Sequence, residues 1–241
     1  MQAVPRSPSF PFLFALAALL AGCAATAPAP VAERPRLVVL LVADGVPQAQ
    51  LEAYRDQYGP DGFNRFLGQG AWFADAHYGH AHTVTAAGHA TMLTGAYPHR
   101  TGIIGNEWRD RATGERVYCT GDAAHAWLGH ATPRHAGTSP RNLLAQSLGD
   151  VLREADPRSK VIAVSGKDRG AILPAGRDGT AYLYMAQTGR FASTTYYMKE
   201  HPAWVEAFNA ARPAERFFGA RWEPLLPPMA YGRSGPDGQP W

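Results

Sequence analysis

The chain of 241 residues holds only two cysteines, Cys23 and Cys119, which excludes the disulfide framework of a small secreted scaffold. Lysine is nearly as scarce. Only Lys160, Lys167 and Lys199 are lysines among 23 basic side chains, so a lysine at a turn is a choice that carries weight. No sign of charge dominates either: 23 Lys and Arg against 20 Asp and Glu leave +3, without the basic surplus of a nucleic-acid binder. Internal repeats are absent. The apolar run Phe10 to Leu20 is too short for a membrane-spanning helix. What is present is 46% hydrophobic and 11% aromatic residues, and 25 Gly plus 20 Pro, below the roughly 25–30% that marks low-complexity disorder. The chain is globular, long enough for one substantial domain or two small ones.

Arg6 followed by the run Phe10 to Leu20 has the charged start and apolar centre of a secretory signal. The run ends in Leu20-Ala21-Gly22-Cys23, which resembles the lipobox of bacterial lipoproteins and implies cleavage to leave a lipidated Cys23. The alternative is a plain signal cut in the Ala-rich stretch that follows. Ala24 to Pro35 is rich in Ala and Pro and reads as a tether. Residue 24 is not Asp, which by the lipoprotein sorting rule implies the outer membrane, facing the periplasm of a Gram-negative cell. The expected organisation is a signal over 1–22, a tether over 23–35 and a catalytic body over 36–241.

Within the body, Leu37 to Ala43 (LVVLLVA) is a continuous aliphatic run, the pattern of a central parallel strand covered on both faces. Pro47 to Tyr58 has helical spacing and stops at Gly59-Pro60. Ala71 to Tyr78 is strand-like. Ala86 to Leu93 consists of helix formers and small residues between Thr85 and Gly95, placing Thr85 at or beside a helix N-terminus. Ser139-Pro140 predicts an amphipathic helix through about Ala155, and Lys160 to Ser165 a second buried strand. Asp178 to Tyr197 suggests an antiparallel extension, and Pro202 to Ala211 a last helix. This alternation predicts an α/β sandwich with a mainly parallel central sheet and helices on both faces.

In open α/β sheets the working site lies beyond the carboxyl ends of the strands. Asp44, Thr85, Asn106 and the turn Gly166-Lys167-Asp168-Arg169 fall at such places. Singly, each has a plain reading: Asp44 as a cap, Thr85 as an N-cap, Asn106 as a turn residue, Lys167 and Arg169 as a solvated loop. Each also has a chemical one. A carboxylate on a strand end is a cation ligand, and a threonine at a helix N-terminus sits where the dipole favours negative charge, although a hydroxyl needs a base or a metal to become a nucleophile.

Together, His82-Thr83-Val84-Thr85-Ala86-Ala87-Gly88-His89-Ala90-Thr91, Thr94-Gly95, Gly102-Ile103-Ile104-Gly105-Asn106-Glu107-Trp108 and Gly166-Lys167-Asp168-Arg169-Gly170-Ala171 resemble the alkaline phosphatase superfamily. The branch is the one with a threonine nucleophile, overlapping the type I phosphodiesterase/nucleotide pyrophosphatase family. The similarity runs from about Arg36 to Ala210 and includes Gly189-Arg190-Phe191 and Thr195-Tyr196-Tyr197. It implies an alkaline phosphatase-like fold and two Zn2+ ions. Asp44 would be a metal ligand, and Thr85 both metal ligand and nucleophile. Asn106, Lys167 and Arg169 would hold the phosphoryl oxygens. The Lys-x-Arg pair looks like the monoesterase version, since two cations suit the extra charged oxygen of a monoester dianion.

The implied reaction is hydrolysis of small-molecule phosphate monoesters through a phosphothreonine on Thr85, with phosphodiesterase or nucleotide pyrophosphatase chemistry as the alternative. No nucleic-acid partner is implied, and the membrane is met through the lipid anchor alone. His89 is expected to support the nucleophile turn, while His77, His80 and His82 match no ligand position of the family. Asp122 and His125 are one residue short of its Asp-x-x-x-His spacing. The family's remaining zinc ligands, an Asp-x-x-x-His motif, an Asp-His pair and a late histidine, have no counterpart here. Two expectations follow: an N-terminal portion of a longer enzyme, in which Cys119 finds a disulfide partner or stays a buried thiol, or an inactive lipoprotein binding module.

Overall fold

The computed structural model describes residues 35–221 and 223–234. The signal-like run, the lipobox-like Cys23 and all but the last residue of the tether lie outside them. The chain divides into two units, one ending at Ala43 and one starting at Asp44.

In the first unit, Leu37 to Ala43 is not a strand, and Leu37, Val38, Val39, Leu40 and Leu41 are all exposed. This corrects the expectation of a covered central strand. An aliphatic run encodes apolarity, but a strand exists only through hydrogen bonds to a neighbour. No strand among the described residues pairs with this one.

The second unit opens with α1 (Gln48–Ala53), continued by a short 3-10 turn, Arg55–Gln57. Next comes α2 (Phe63–Gln69). The strand expected near Ala71 to Tyr78 is irregular chain, again for want of a pairing partner. Then α3 (Thr85–Thr94) begins at Thr85 and ends on Gly95 at φ +66°, a left-handed stop that glycine adopts without strain. After α4 (Pro98–Thr101), β1 (Glu107–Arg109) and β2 (Arg116–Tyr118) pair antiparallel with Glu107 opposite Tyr118. Asp110 shapes the connecting loop by accepting the amides of Ala112 and Thr113.

The helix expected from Ser139 starts later, as α5 (Leu148–Ala155). Ser147 caps it in a reciprocal box: the Asp150 amide donates to Ser147 Oγ at 3.1 Å and the Ser147 amide to Asp150 Oδ2 at 2.8 Å, a start signal stronger than Ser-Pro. Ser139 instead donates its hydroxyl to Asp122, and the Leu144 amide bonds Thr101 rather than a helical carbonyl.

The larger sheet has the order β3-β4-β5. From β3 (Ile162–Ser165) the chain crosses through α6 (Asp168–Ala175) to β4 (Thr180–Met185), parallel to β3, and turns back antiparallel into β5 (Arg190–Ala192). Finally, α7 (Ala203–Ala210) runs where a helix was expected. The expected burial of β3 is only half met: Ile162 and Val164 are exposed, because β3 has a neighbour on one side only among the described residues.

α6 organises the core. Its Leu173 joins Ala86 and Ala90 of α3, with Ile103, Cys119 and Leu143. Its Ala171, Ile172 and Ala175 pack on Ala181 and Leu183 of β4. Small residues on α3 let the two helices approach closely, and at Gly170 a Cβ would come within 2.5 Å of Ser165 Oγ at the end of β3. The helix starts holding Thr85 and Arg169 are thereby fixed relative to each other.

Candidate active site

Thr85 is the first residue of α3, half-buried. Its hydroxyl donates to Asp44 Oδ2 at 3.1 Å, and the same oxygen accepts Lys167 Nζ at 2.5 Å. Lys167 is the residue before α6, its amide tied to Ser165 Oγ at 3.1 Å. The ammonium and, secondarily, the Thr85 hydroxyl hold the Asp44 carboxyl below the usual carboxylate range, against the opposing effect of burial. Asp44 is therefore a carboxylate at neutral pH. The three residues, spread over 123 positions, meet at one oxygen atom.

Asn106 stands beside them. Its Oδ1 accepts the Ala86 amide at 3.0 Å, a helix-start N–H with no partner inside the helix. With Oδ1 engaged, the Nδ2 donors are the ones left for a ligand. His89, one turn into α3 and buried, has Nδ1 2.7 Å from the Thr85 carbonyl oxygen, so it braces the first turn of α3 below Thr85.

Arg169 faces a different set of partners. Its Nη1 donates to Tyr118 Oη at 3.0 Å, and the Tyr118 hydroxyl donates to Asp168 Oδ1 at 2.7 Å. Asp168 also accepts the amides of Gly137 at 2.9 Å and Arg169 at 2.6 Å. Gly137 has no room for a side chain: a Cβ would lie 2.3 Å from Asp168 Oδ2. Burial, and then the Asp168 charge, push the Tyr118 hydroxyl well above the ordinary tyrosine range, so Tyr118 stays protonated. The part played by Tyr118 was not legible in the sequence, where it lies 50 residues from Asp168.

Asp44 and Thr85 offer two converging oxygen donors suited to a hard or borderline cation. The ammonium of Lys167 already marks that point as favourable for positive charge. They fit part of a metal site, since a tetrahedral zinc site uses about three protein ligands or more and no group of three His, Cys, Asp or Glu gathers among the described residues. His77, His80 and His82 form no such group. The Asp122 carboxylate is taken by Ser139 and Arg141, with His125 at 3.9 Å. Cys119 is a free thiol buried in the core.

Residues 38–224 match the family model for type I phosphodiesterase / nucleotide pyrophosphatase. The chain belongs to that family. It is 41% identical over 210 residues to alkaline phosphatase PhoV of Synechococcus elongatus and 40% identical over 210 residues to alkaline phosphatase PafA of Elizabethkingia meningoseptica, in each case over 86% of this chain and 38% of the relative. Among solved structures it is similar to a variant of alkaline phosphatase PafA substituted at a threonine, an asparagine, a lysine and an arginine. That likeness has a TM-score of 0.77 and 37% identity over 83% of this chain and 39% of that one. The α/β fold is thus the alkaline phosphatase fold, and the chain spans about two fifths of the length of the relatives it matches.

Proposed function

We propose that this chain carries the nucleophile side of a zinc-dependent phosphate monoesterase, with Thr85 as the attacking group. The carrying observation is the pair of bonds from Thr85 and Lys167 to one oxygen of Asp44. It places a hydroxyl at a helix start beside a carboxylate and a cation, where an anionic ester can be bound and attacked. The PafA variant supports the assignment. Its threonine and asparagine are 21 residues apart and its lysine and arginine two apart, the intervals of Thr85 to Asn106 and Lys167 to Arg169.

In this reading Asn106 Nδ2 donates to one non-bridging phosphoryl oxygen, and Lys167 and Arg169 neutralise the others. Asp44 accepts the Thr85 hydroxyl and fixes its direction. Thr85 Oγ1 gives up its proton to solvent and forms the new bond to phosphorus as the ester P–O bond breaks in line; the leaving oxygen departs with the bonding pair and takes a proton from solvent, releasing the alcohol. Water then cleaves the phosphothreonine to inorganic phosphate. Asp44 and Thr85 are the residues of this chain that would hold Zn2+, which when bound stabilises negative charge on the threonine oxygen. Positioning and charge account for most of phosphoryl-transfer catalysis, and those are what Asn106, Lys167 and Arg169 supply.

The diester reading draws on the family description itself. The two cations beside Asp44 and Asp168 favour a monoester, whose dianion has one more charged oxygen to neutralise. The sequence also supports delivery of the body to the periplasmic face of the outer membrane by a lipid on Cys23, with the body following the tether. In the complete protein, Thr85→Ala is expected to abolish hydrolysis of p-nitrophenyl phosphate while leaving the circular dichroism spectrum and melting temperature unchanged. Wild-type turnover in that variant overturns the assignment.

A further inference from the structure

Arg169 is the cation whose orientation is least explained by its own turn. Its Nε is buried without a partner, and its nearest charged neighbour, Asp168 Oδ1, lies 3.7 Å away. The contact within hydrogen-bond distance is Tyr118 Oη, at 3.0 Å from Nη1. A phenol oxygen both donates and accepts, and here the two roles are assigned by its neighbours. Asp168 Oδ1 can only accept, so the phenol proton goes to it. The lone pairs of Oη are then left for the guanidinium, which can only donate.

Asp168 is itself immobilised by the amides of Gly137 and Arg169, in a space closed by the absent side chain of Gly137. The result is a directed chain from a fixed carboxylate through a phenol to one arm of the guanidinium. It is built on the hairpin whose first strand follows directly on Asn106, the proposed hydrogen-bond donor to a phosphoryl oxygen. The Cys119 amide bonds the Asn106 carbonyl at 3.0 Å, and Tyr118 pairs across the ladder with Glu107. One two-stranded element therefore sets both Asn106, beside Thr85, and Tyr118, against Arg169.

We propose that Tyr118, anchored by Asp168, is a positioning residue that aims Arg169 at the phosphoryl group and so contributes to the preference for monoesters. The proposal rests on the reading of Arg169 as a phosphoryl clamp given above. Tyr118 touches no reacting atom in this arrangement. Its ring packs against the core cluster, while the positioning effect assigned to its hydroxyl passes through the guanidinium.

The test is a cycle of Tyr118→Phe, Arg169→Ala and the double variant in the complete zinc-loaded protein, read by inorganic phosphate affinity in calorimetry and by kcat/KM for p-nitrophenyl phosphate and bis-p-nitrophenyl phosphate. Tyr118→Phe keeps the ring and its packing, and the melting temperature of each variant checks the fold. The expected result is a loss of about tenfold in phosphate affinity and in monoester kcat/KM for Tyr118→Phe, with diester kcat/KM changed less than threefold. In the Arg169→Ala background the second substitution should have no further effect. A Tyr118→Phe variant that binds phosphate like wild type while Arg169→Ala does not overturns the positioning role and leaves the clamp intact. Equal losses from Tyr118→Phe with and without Arg169 also overturn it, marking a packing effect. Wild-type phosphate affinity in Arg169→Ala overturns the clamp reading and the proposal with it.

Discussion

Lys167 Nζ lies 2.5 Å from Asp44 Oδ2, the oxygen that also accepts the Thr85 hydroxyl. One of the three lysines in the chain is thus committed to the carboxylate that orients the proposed nucleophile. Replacing Lys167 with Ala in the complete enzyme should lower monoester kcat/KM by about 10²-fold, in the range found when a charge-stabilising donor is removed, and lower diester hydrolysis less. Kinetics on the two substrate classes check this; equal losses would mark Lys167 as structural.

Asn106 has two tasks, and they separate experimentally. Its Oδ1 satisfies the Ala86 amide at the start of α3, while Nδ2 is assigned to the substrate. Asn106→Asp keeps the acceptor but removes the donor and adds a negative charge beside the anion. It should retain the wild-type melting temperature within a few degrees while activity falls by at least about 10²-fold. Asn106→Ala should lose both activity and roughly 1 kcal/mol of stability, from the orphaned amide. Melting curves and steady-state kinetics on the pair provide the comparison.

The Asp150 carboxylate is 2% exposed and accepts three amides, those of Ser147, Arg177 and Asp178, at 2.8–2.9 Å. Asp150→Ala leaves all three unsatisfied and removes half of the box that starts α5. The expected cost is about 3 kcal/mol in chemical denaturation, with the site geometry unaltered in the surviving folded fraction.

Cys119 is buried in the cluster shared by α3 and α6, where burial, then the Asp168 charge, raises its thiol from the ordinary 9 to about 12. The folded state therefore keeps the proton longer than the unfolded chain does. This contribution to stability is complete below pH 9 and is lost progressively between pH 9 and 12. Thiol titration with dithionitrobenzoate at pH 8 should find Cys119 unreactive in the native protein and reactive in guanidinium. Removing the thiol with Cys119→Ala should flatten the alkaline limb of the stability profile.

Much of the site was legible because its residues sit at chain punctuation. Thr85 and Gly95 bracket α3 as the small-residue run between them indicated, and Lys167 lies in the turn after an aliphatic strand. Apart from the start of α5, what escaped the sequence depended on partners distant in the chain. Leu37 to Ala43 has the composition of a strand, but composition cannot supply a hydrogen-bonding neighbour. Two serines competed to start a helix. Ser139-Pro140 had the local appearance, yet Ser147 prevailed because Asp150 three residues later closes a reciprocal cap that Ser139 lacks. The hairpin of β1 and β2 is short, with three residues per strand, below the length at which alternation is informative. The link from Tyr118 to Arg169 exists only once that hairpin and α6 are packed together.

The central claim, that Thr85 carries the phosphoryl group, is tested most directly by acid-quenching the complete zinc-loaded enzyme during turnover of a phosphate monoester and mapping the modified residue by peptide mass spectrometry. The account predicts a phosphate on the peptide containing Thr85, gained within the first turnover and absent in Thr85→Ala. Turnover at the wild-type rate with no phosphorylated Thr85, or with the phosphate on another residue, would contradict it.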